Sequence, residues 1–182
     1  AGYDLPRCVA TLRYTAGWAT KIAGQTLEPA LHPTGTFHSY VRREPIGVAA
    51  QIVPWNFPLM MAVQKIAPAL AAGCTVILKP AEQTPLTTLR FVELAQDVLP
   101  PGVLQVVTGD GVPVGDALVR HPDIRLVSLT GDVETGKLIA KNAADTLKRV
   151  HLELGGKAPM VVLDDADPEA VAEAIKIGGY WN

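Results

Sequence analysis

Cysteine is scarce in this sequence: Cys8 and Cys74 are the only two among 182 residues. They lie far apart and without metal-type spacing, which argues against a disulfide scaffold and makes a reducing, cytoplasmic setting the default. Basic clusters are missing as well. Nothing exceeds the Arg42-Arg43 pair, and the formal net charge is −2, so no nucleic acid or other polyanion is expected as a partner. No apolar run approaches the ~20 residues that span a bilayer, so no membrane partner is expected either. The opening stretch, "AGYDLPRCVATLRYTAGW", has neither the basic head nor the unbroken apolar stretch of a signal peptide. It also lacks an initial Met, and "GGYWN" closes the chain inside an apolar element, so both ends read as cut. Internal repeats and low-complexity tracts are absent.

What is present is an apolar chain, 48% hydrophobic, sufficient for one domain with a sizeable core or one domain plus pieces of a neighbour. Leu5, Val9, Leu12, Ala16 and Ala19 recur at helical spacing, which predicts a helix over 5–23 with Gly24 as its stop. Residues 25–45 hold Pro29, Pro33 and Gly35 and then alternate through "TFHSYVRRE". They read as an extended arm or hairpin, either a subunit-contact strand or a solvated loop.

From Ile46 onward strands and helices alternate. "IGVAAQIV", "TVILK", "VLQVV", "RLVSL", "KRVHLEL" and "PMVVL" read as strands. Helices are expected over 59–73 with Gly73 at the C-cap, over 86–98, up to Arg120, over 133–144, and from "DPEAVAEAIKIGG" onward. Continuous apolar strands separated by helices predict an α/β fold, a parallel sheet covered on both faces.

In such a sheet ligands bind beyond the carboxyl ends of the strands. Pro54, Trp55 and Asn56 follow the first strand; Lys79, Pro80, Ala81 and Glu82 end and follow the second. Thr108 to Gly111 follow the third, and Thr130, Gly131 and Asp132 the fourth. Glu153 ends the fifth, before the Gly155-Gly156 break. Gly109-x-Gly111-x-x-x-Gly115 and Thr130-Gly131-Asp132 are glycine turns entering helices, whose free N–H groups suit a pyrophosphate. The first is not the GxGxxG fingerprint, because its third glycine comes one residue late. On spacing alone, a phosphate site and a plain turn with a cap both stand. Lys79 and Glu82 read either as a ribose-binding pair, whose carboxylate would grip both hydroxyls and repel a 2′-phosphate, or as an ordinary exposed ion pair.

"IVPWNFPLMM", "AGCTVILKPAEQTPLT", "VVTGDGVPVG", "SLTGDVETGK" and "HLELGGKAP", in this order and spacing, resemble the NAD(P)-dependent aldehyde dehydrogenase superfamily from about Leu5 to Asn182. The closing stretch is most similar to the aminobutyraldehyde and betaine-aldehyde branch. The resemblance implies a Rossmann-like fold: a helix of the cofactor domain over 1–24, an oligomerisation arm over 25–45, an NAD-binding domain over 46–154, and the start of a catalytic α/β domain over 155–182. It implies oxidation of an aldehyde to an acid through a cysteine thiohemiacetal and thioester, with NAD rather than NADP as cofactor and a homodimer or homotetramer at full length.

Carried over by position, Asn56 matches the oxyanion donor and Glu153 the general base of hydrolysis. Desolvation between Leu152 and Leu154 is expected to raise the basicity of Glu153. The cofactor is expected at Val53, Pro54, Trp55 and Asn56, at Lys79, Pro80, Ala81 and Glu82, at Gly111 and Gly115, at Thr130, Gly131 and Asp132, and at Leu154 and Gly155. Asp132 departs from the usual small Ser; it is expected to turn away and cap the helix. Met61 and Gln64 match the aldehyde tunnel, where many relatives carry an aromatic residue in place of Gln64. The family nucleophile lies beyond a segment like Tyr180-Trp181-Asn182, and neither Cys8 nor Cys74 is placed to substitute, so these residues alone are expected to be inactive. Two alternatives remain: a dinucleotide-binding or assembly module without catalysis, and a coenzyme A-acylating relative, against which the presence of Glu153 argues.

Overall fold

A computed structural model describes residues 2–28, 34–35 and 37–180. Helix α1, Asp4–Ala16, buries Cys8 against α2 (Pro58–Ala71) beside Met60 and Val63. It ends well before the predicted residue 23. Gly17 follows, and Trp18 and Ile22 stay exposed. Helical spacing without a buried face does not sustain a helix. The arm forms the expected hairpin: β1 (Gln25–Leu27) pairs antiparallel with β2 (Ser39–Val41), Thr26 opposite Tyr40. Pro29 and Pro33 lie outside the described residues, as do Trp181 and Asn182.

The main sheet holds β3 (Val48–Ile52), β4 (Thr75–Lys79), β5 (Leu104–Val106), β6 (Ile124–Gly131) and β7 (Arg149–Leu154). Their order is β5-β4-β3-β6-β7, and every pairing is parallel. All carboxyl ends therefore share one edge, and the strand order reverses between β3 and β6, the place where such sheets bind ligands. Helix α3 (Leu86–Ala95) joins α2 on one face; α4 (Asp116–Arg120) and α5 (Val133–Ala143) cover the other. Helix α6 (Pro168–Tyr180) closes the described chain. Among the described residues no helix is long and apolar enough to cross a membrane.

Period-two alternation decides what each strand residue meets. Ala50, Val127 and Leu129 pack with Val119, Ile139 and Ala143 on the α4/α5 face. Val53, Val76 and Leu78 pack with Ala62, Ile66 and Val92 on the α2/α3 face. Each fully buried large aliphatic side chain contributes about 1.5–3 kcal/mol relative to exposure. "PMVVL" does not form the predicted strand. Met160, Val161, Val162 and Leu163 are exposed and join no ladder, because a short apolar run becomes a strand only where an edge offers hydrogen bonds.

Helix α2 starts with Pro58 at its first turn and stops before Gly73, whose φ of +80° suits glycine. A Cβ there would sit 2.8 Å from Pro45 Cγ. Gly73→Ala is expected to cost about 1–2 kcal/mol from the left-handed backbone alone, and more from the Pro45 contact, read as a lower urea midpoint. An unchanged midpoint would mean that the turn relaxes freely.

Candidate functional site

The strand ends build two adjoining cavities. The first, about 400 Å³, is lined by Pro54, Trp55 and Asn56 after β3, by Thr130, Gly131 and Asp132 at the end of β6, and by Glu153, Leu154 and Gly155 at the end of β7. The sequence-predicted oxyanion donor and base thus share one crevice at the point of strand reversal. Thr130 is paired in register with Glu153, so the carboxylate's height along the sheet is set by the ladder rather than by a loop.

The second cavity, about 170 Å³, is a largely apolar groove between α4 and α5. Ile52, Val119, Leu138 and Ile139 wall it, with Lys79, Gly111, Gly115, Asp116 and Asn142 at its polar margin. Asn142 Nδ2 donates to Asp116 Oδ1 at 2.8 Å, fixing the spacing of the two helices. The groove's aliphatic walls were not anticipated; they come from helix residues whose apolar spacing looks like ordinary core. The first turn of α5 joins the cavities, since Asp132 lines one and Thr135 the other.

Lys79 is not the exposed rim cation that its position suggested. It is 3% exposed, on the α4/α5 face, with Nζ donating to the Pro80 carbonyl at 3.3 Å. Strand alternation turns it inward toward the groove. Glu82 does stand in solvent, 3.5 Å from Lys79 Nζ. Its carboxyl is held below the usual range, first by its own backbone N–H and further by Lys79. Pro80 and Ala81 are buried between them.

Val53 is buried in the core, its N–H donating to the Lys79 carbonyl at 3.1 Å; it extends the sheet rather than lining the crevice. Met61 packs half-buried against the α2/α3 core, and Gln64 faces a third cavity with Lys65 and His151. The structure therefore brings neither Met61 nor Gln64 to the crevice. Gly109 takes φ +139° and a Cβ there would meet Val114 Cγ2 at 2.5 Å, so glycine is needed for the turn. That turn, Gly111–Gly115, leads into α4, which has only five residues. Together they form one continuous helical stretch, kinked at Val112.

Asp132 caps α5. Its Oδ1 accepts from the backbone N–H of Glu134 at 2.9 Å and of Thr135 at 3.0 Å, and Oδ2 accepts from the Thr135 hydroxyl. These bonds, the Thr135 hydroxyl foremost, hold its carboxyl below the usual range. The first N–H groups of α5 are accordingly satisfied by the chain itself.

Glu153 differs from expectation in one respect. Leu152 and Leu154 do not flank its carboxylate, because neighbours in a strand point to the opposite face. Leu152 packs on the α4/α5 core, whereas the Glu153 side chain is 66% exposed. Within the described residues, the two flanking leucines are therefore not what would desolvate it. On the same face lies a group that sequence reasoning missed: Lys65 of α2, 8% exposed, whose ammonium burial pushes down to about 8 while the Glu153 charge acts the other way. A lone lysine among core-facing Ala62, Val63 and Ile66 was the available signal. Cys8 and Cys74 are free and buried away from both cavities, and burial raises the Cys8 thiol.

The profile of the aldehyde dehydrogenase family matches residues 1–182. A phenylacetaldehyde dehydrogenase of Pseudomonas fluorescens is 54% identical over 174 residues, which cover 94% of this chain and 35% of that protein. An aldehyde dehydrogenase of Bacillus cereus, solved as an NAD+ complex, superposes with a TM-score of 0.90 at 46% identity, covering 96% of this chain and 35% of that one. A betaine aldehyde dehydrogenase of Staphylococcus aureus, also solved with NAD+, gives 0.91 at 44% identity, covering 97% and 35%. The chain thus spans about 35% of the length of the relatives it matches.

Replacing Asp132 tests its capping role. Asp132→Ala is expected to lower the melting temperature followed by circular dichroism, and Asp132→Ser, which keeps an acceptor, to stay near native. A carboxyl held low in the folded state contributes stability above its unfolded value near ~4 and loses it as pH falls through the folded value. The gap between native and Asp132→Ala should therefore close in acid; a gap that persists there would point to lost packing instead.

Proposed function

The chain belongs to the aldehyde dehydrogenase family, and we propose that it carries the NAD-binding half-site, the oxyanion donor and the hydrolytic base of an enzyme oxidising an aldehyde to a carboxylic acid. The observation that carries this reading is the convergence of Asn56 and Glu153 on one crevice where the strand order reverses. The division into a cofactor domain over 46–154 and the opening of a catalytic domain from 155 follows the same reading. So do assembly through the hairpin arm and a cytoplasmic setting, which two free, buried cysteines fit.

The residues present suit a dinucleotide. The apolar groove between α4 and α5 offers a slot for a flat base, with the Lys79 stem along one wall. The Glu82 carboxylate, beside Lys79, would accept from two ribose hydroxyls, and Trp55, Thr130 and Gly131 line the crevice beyond. When bound, the nicotinamide accepts the hydride. The chain's own groups do the remainder. The Asn56 side-chain amide donates to the aldehyde oxygen as negative charge develops there, a contribution worth ~3 kcal/mol in comparable sites. Glu153 Oε takes a proton from water as the water oxygen attacks the thioester carbon; the carbon–sulfur bond then breaks and the thiolate leaves. No thiol reaches the crevice, so the nucleophile belongs to residues other than Cys8 and Cys74. These residues alone should bind cofactor without turnover.

Aldehyde preference is left to the residues that complete the tunnel. The family likeness includes both a phenylacetaldehyde and a betaine-aldehyde enzyme, and Gln64 offers no aromatic wall for a cationic amine.

In the full-length enzyme, Glu153→Gln is expected to keep the acylation burst of NADH and to slow the steady state, because only hydrolysis needs the base. Stopped-flow absorbance measures both phases, and hydrolysis at the native rate would remove Glu153 from this role. Glu82→Gln is expected to narrow the NAD-over-NADP affinity ratio by about fivefold, the equivalent of the ~1 kcal/mol between unit charges 4 Å apart in water. Fluorescence titration with the two nucleotides reads the ratio; an unchanged value would take Glu82 out of the ribose site.

A further inference from the structure

Three polar side chains line up across one face of the sheet beneath the crevice. Gln51 of β3 is in register with Ser128 of β6, and Ser128 with His151 of β7. Two residues further along β7, on the same face, comes Glu153. From α2 above, Lys65 Nζ donates to Ser128 Oγ at 2.6 Å. Ser128 Oγ lies 3.0 Å from His151 Nδ1, and His151 Nε2 lies 3.7 Å from Glu153 Oε1. Gln51, 3% exposed, donates from Nε2 to the Lys65 carbonyl at 2.8 Å. Gln51 thereby ties β3 to the turn of α2 that carries Lys65.

Donor and acceptor chemistry gives this row a direction. An ammonium has three N–H groups and nothing that accepts, so Ser128 Oγ accepts from Lys65. The single hydroxyl proton of Ser128 then points at Nδ1. A ring nitrogen that accepts carries no proton, which places the proton of the neutral imidazole on Nε2, the atom nearest Glu153.

We propose that His151 is a positioning residue for Glu153: its tautomer, set from Lys65 through Ser128, directs an N–H at the carboxylate 3.7 Å away, which a turn of the Glu153 side chain brings into hydrogen-bond range for the hydrolytic step. The role rests on Glu153 being the base. The ladder with Thr130 fixes the height of Glu153 along the sheet, and the neighbouring ring acts on what the ladder leaves free, the side-chain torsions.

Loss of the Lys65 charge reverses the row. A neutral amine both donates and accepts, so Ser128 is released to turn its proton toward Nζ, Nδ1 can then donate, and Nε2 can face the carboxylate with a lone pair. Since burial pushes Lys65 down to about 8, the reversal falls just above neutrality. The other charged groups facing the row are Arg149 and Glu153 on β7 and Glu44 on the far wall of the cavity. From β3 and β6 come only the uncharged Gln51 and Ser128. Of these groups, Lys65 is the one joined to His151 through a hydrogen-bonded hydroxyl. Lys65 is therefore the group whose charge change reaches His151 there.

The test uses the full-length enzyme, with Glu153→Gln as the reference. His151→Phe is expected to lower kcat by about 10- to 100-fold, the scale of an ~1 Å misplacement, with the NADH burst intact. His151→Gln, whose amide offers an N–H of similar reach, recovers part of that loss. The native enzyme is expected to lose kcat above pH 8, and Ser128→Ala to abolish that fall. NAD affinity, which a misfolded variant would lose, is measured alongside. A native kcat and pH profile in His151→Phe, together with failed hydrolysis in Glu153→Gln, would overturn the positioning role and leave the base in place. Normal hydrolysis in Glu153→Gln would remove the base and the role of His151 with it.

Discussion

The crevice exists because β3 pairs in parallel with β6, far along the chain. That ladder aligns Ala50 with Val127 and Gln51 with Ser128, and it brings the loop after Ile52 beside Thr130 and Gly131. Ala50 and Val127 are fully buried, and both face the α4/α5 core. The small residues Ala49 and Ala50 let helices approach the central strand from both sides. A register slip of one residue would exchange these faces, turning Val127 toward the polar row under α2 and Ser128 into the apolar α4/α5 core, so the apolar pattern that holds the core also aligns the site.

The architecture and the crevice were legible because both depend on coarse periodicity. Continuous apolar strands between helices implied a parallel sheet, and a parallel sheet puts everything that follows a strand on one edge. Asn56 and Glu153 could be placed together on that ground alone. The failures are of another kind. The run "PMVVL" has strand composition, yet pairing is a property of two segments, and its partner is not found among the described residues. The predicted extension of α1 failed because the residues after Gly17 stay largely outside the core, Trp18 edge-on to Tyr14 and Ile22 exposed.

Side-chain direction was the second source of error, although it could have been deduced. Strand alternation alone places Lys79 with Ile77, facing the groove and not the rim, and it keeps Leu152 and Leu154 away from the carboxylate of Glu153. Lys65 was passed over because a single charge in an apolar helix counts little in composition. Its significance appears only when Ser128 and His151 arrive from strands far away in sequence. The self-capped start of α5 was deduced from Asp132 itself, since a helix N-terminus with an adjacent carboxylate needs no external anion.

Lys79 and Glu153 project from opposite faces of one sheet, separated by its thickness. On the proposed reading, the side chains that choose the nucleotide and the base that releases the acid are therefore not in contact, and changes at positions that do not touch combine nearly independently. A lineage built on this scaffold could drift in its choice of electron carrier while its hydrolytic half stayed under separate selection, so descendants with swapped nucleotide preference and unaltered turnover are an accessible evolutionary outcome of the fold.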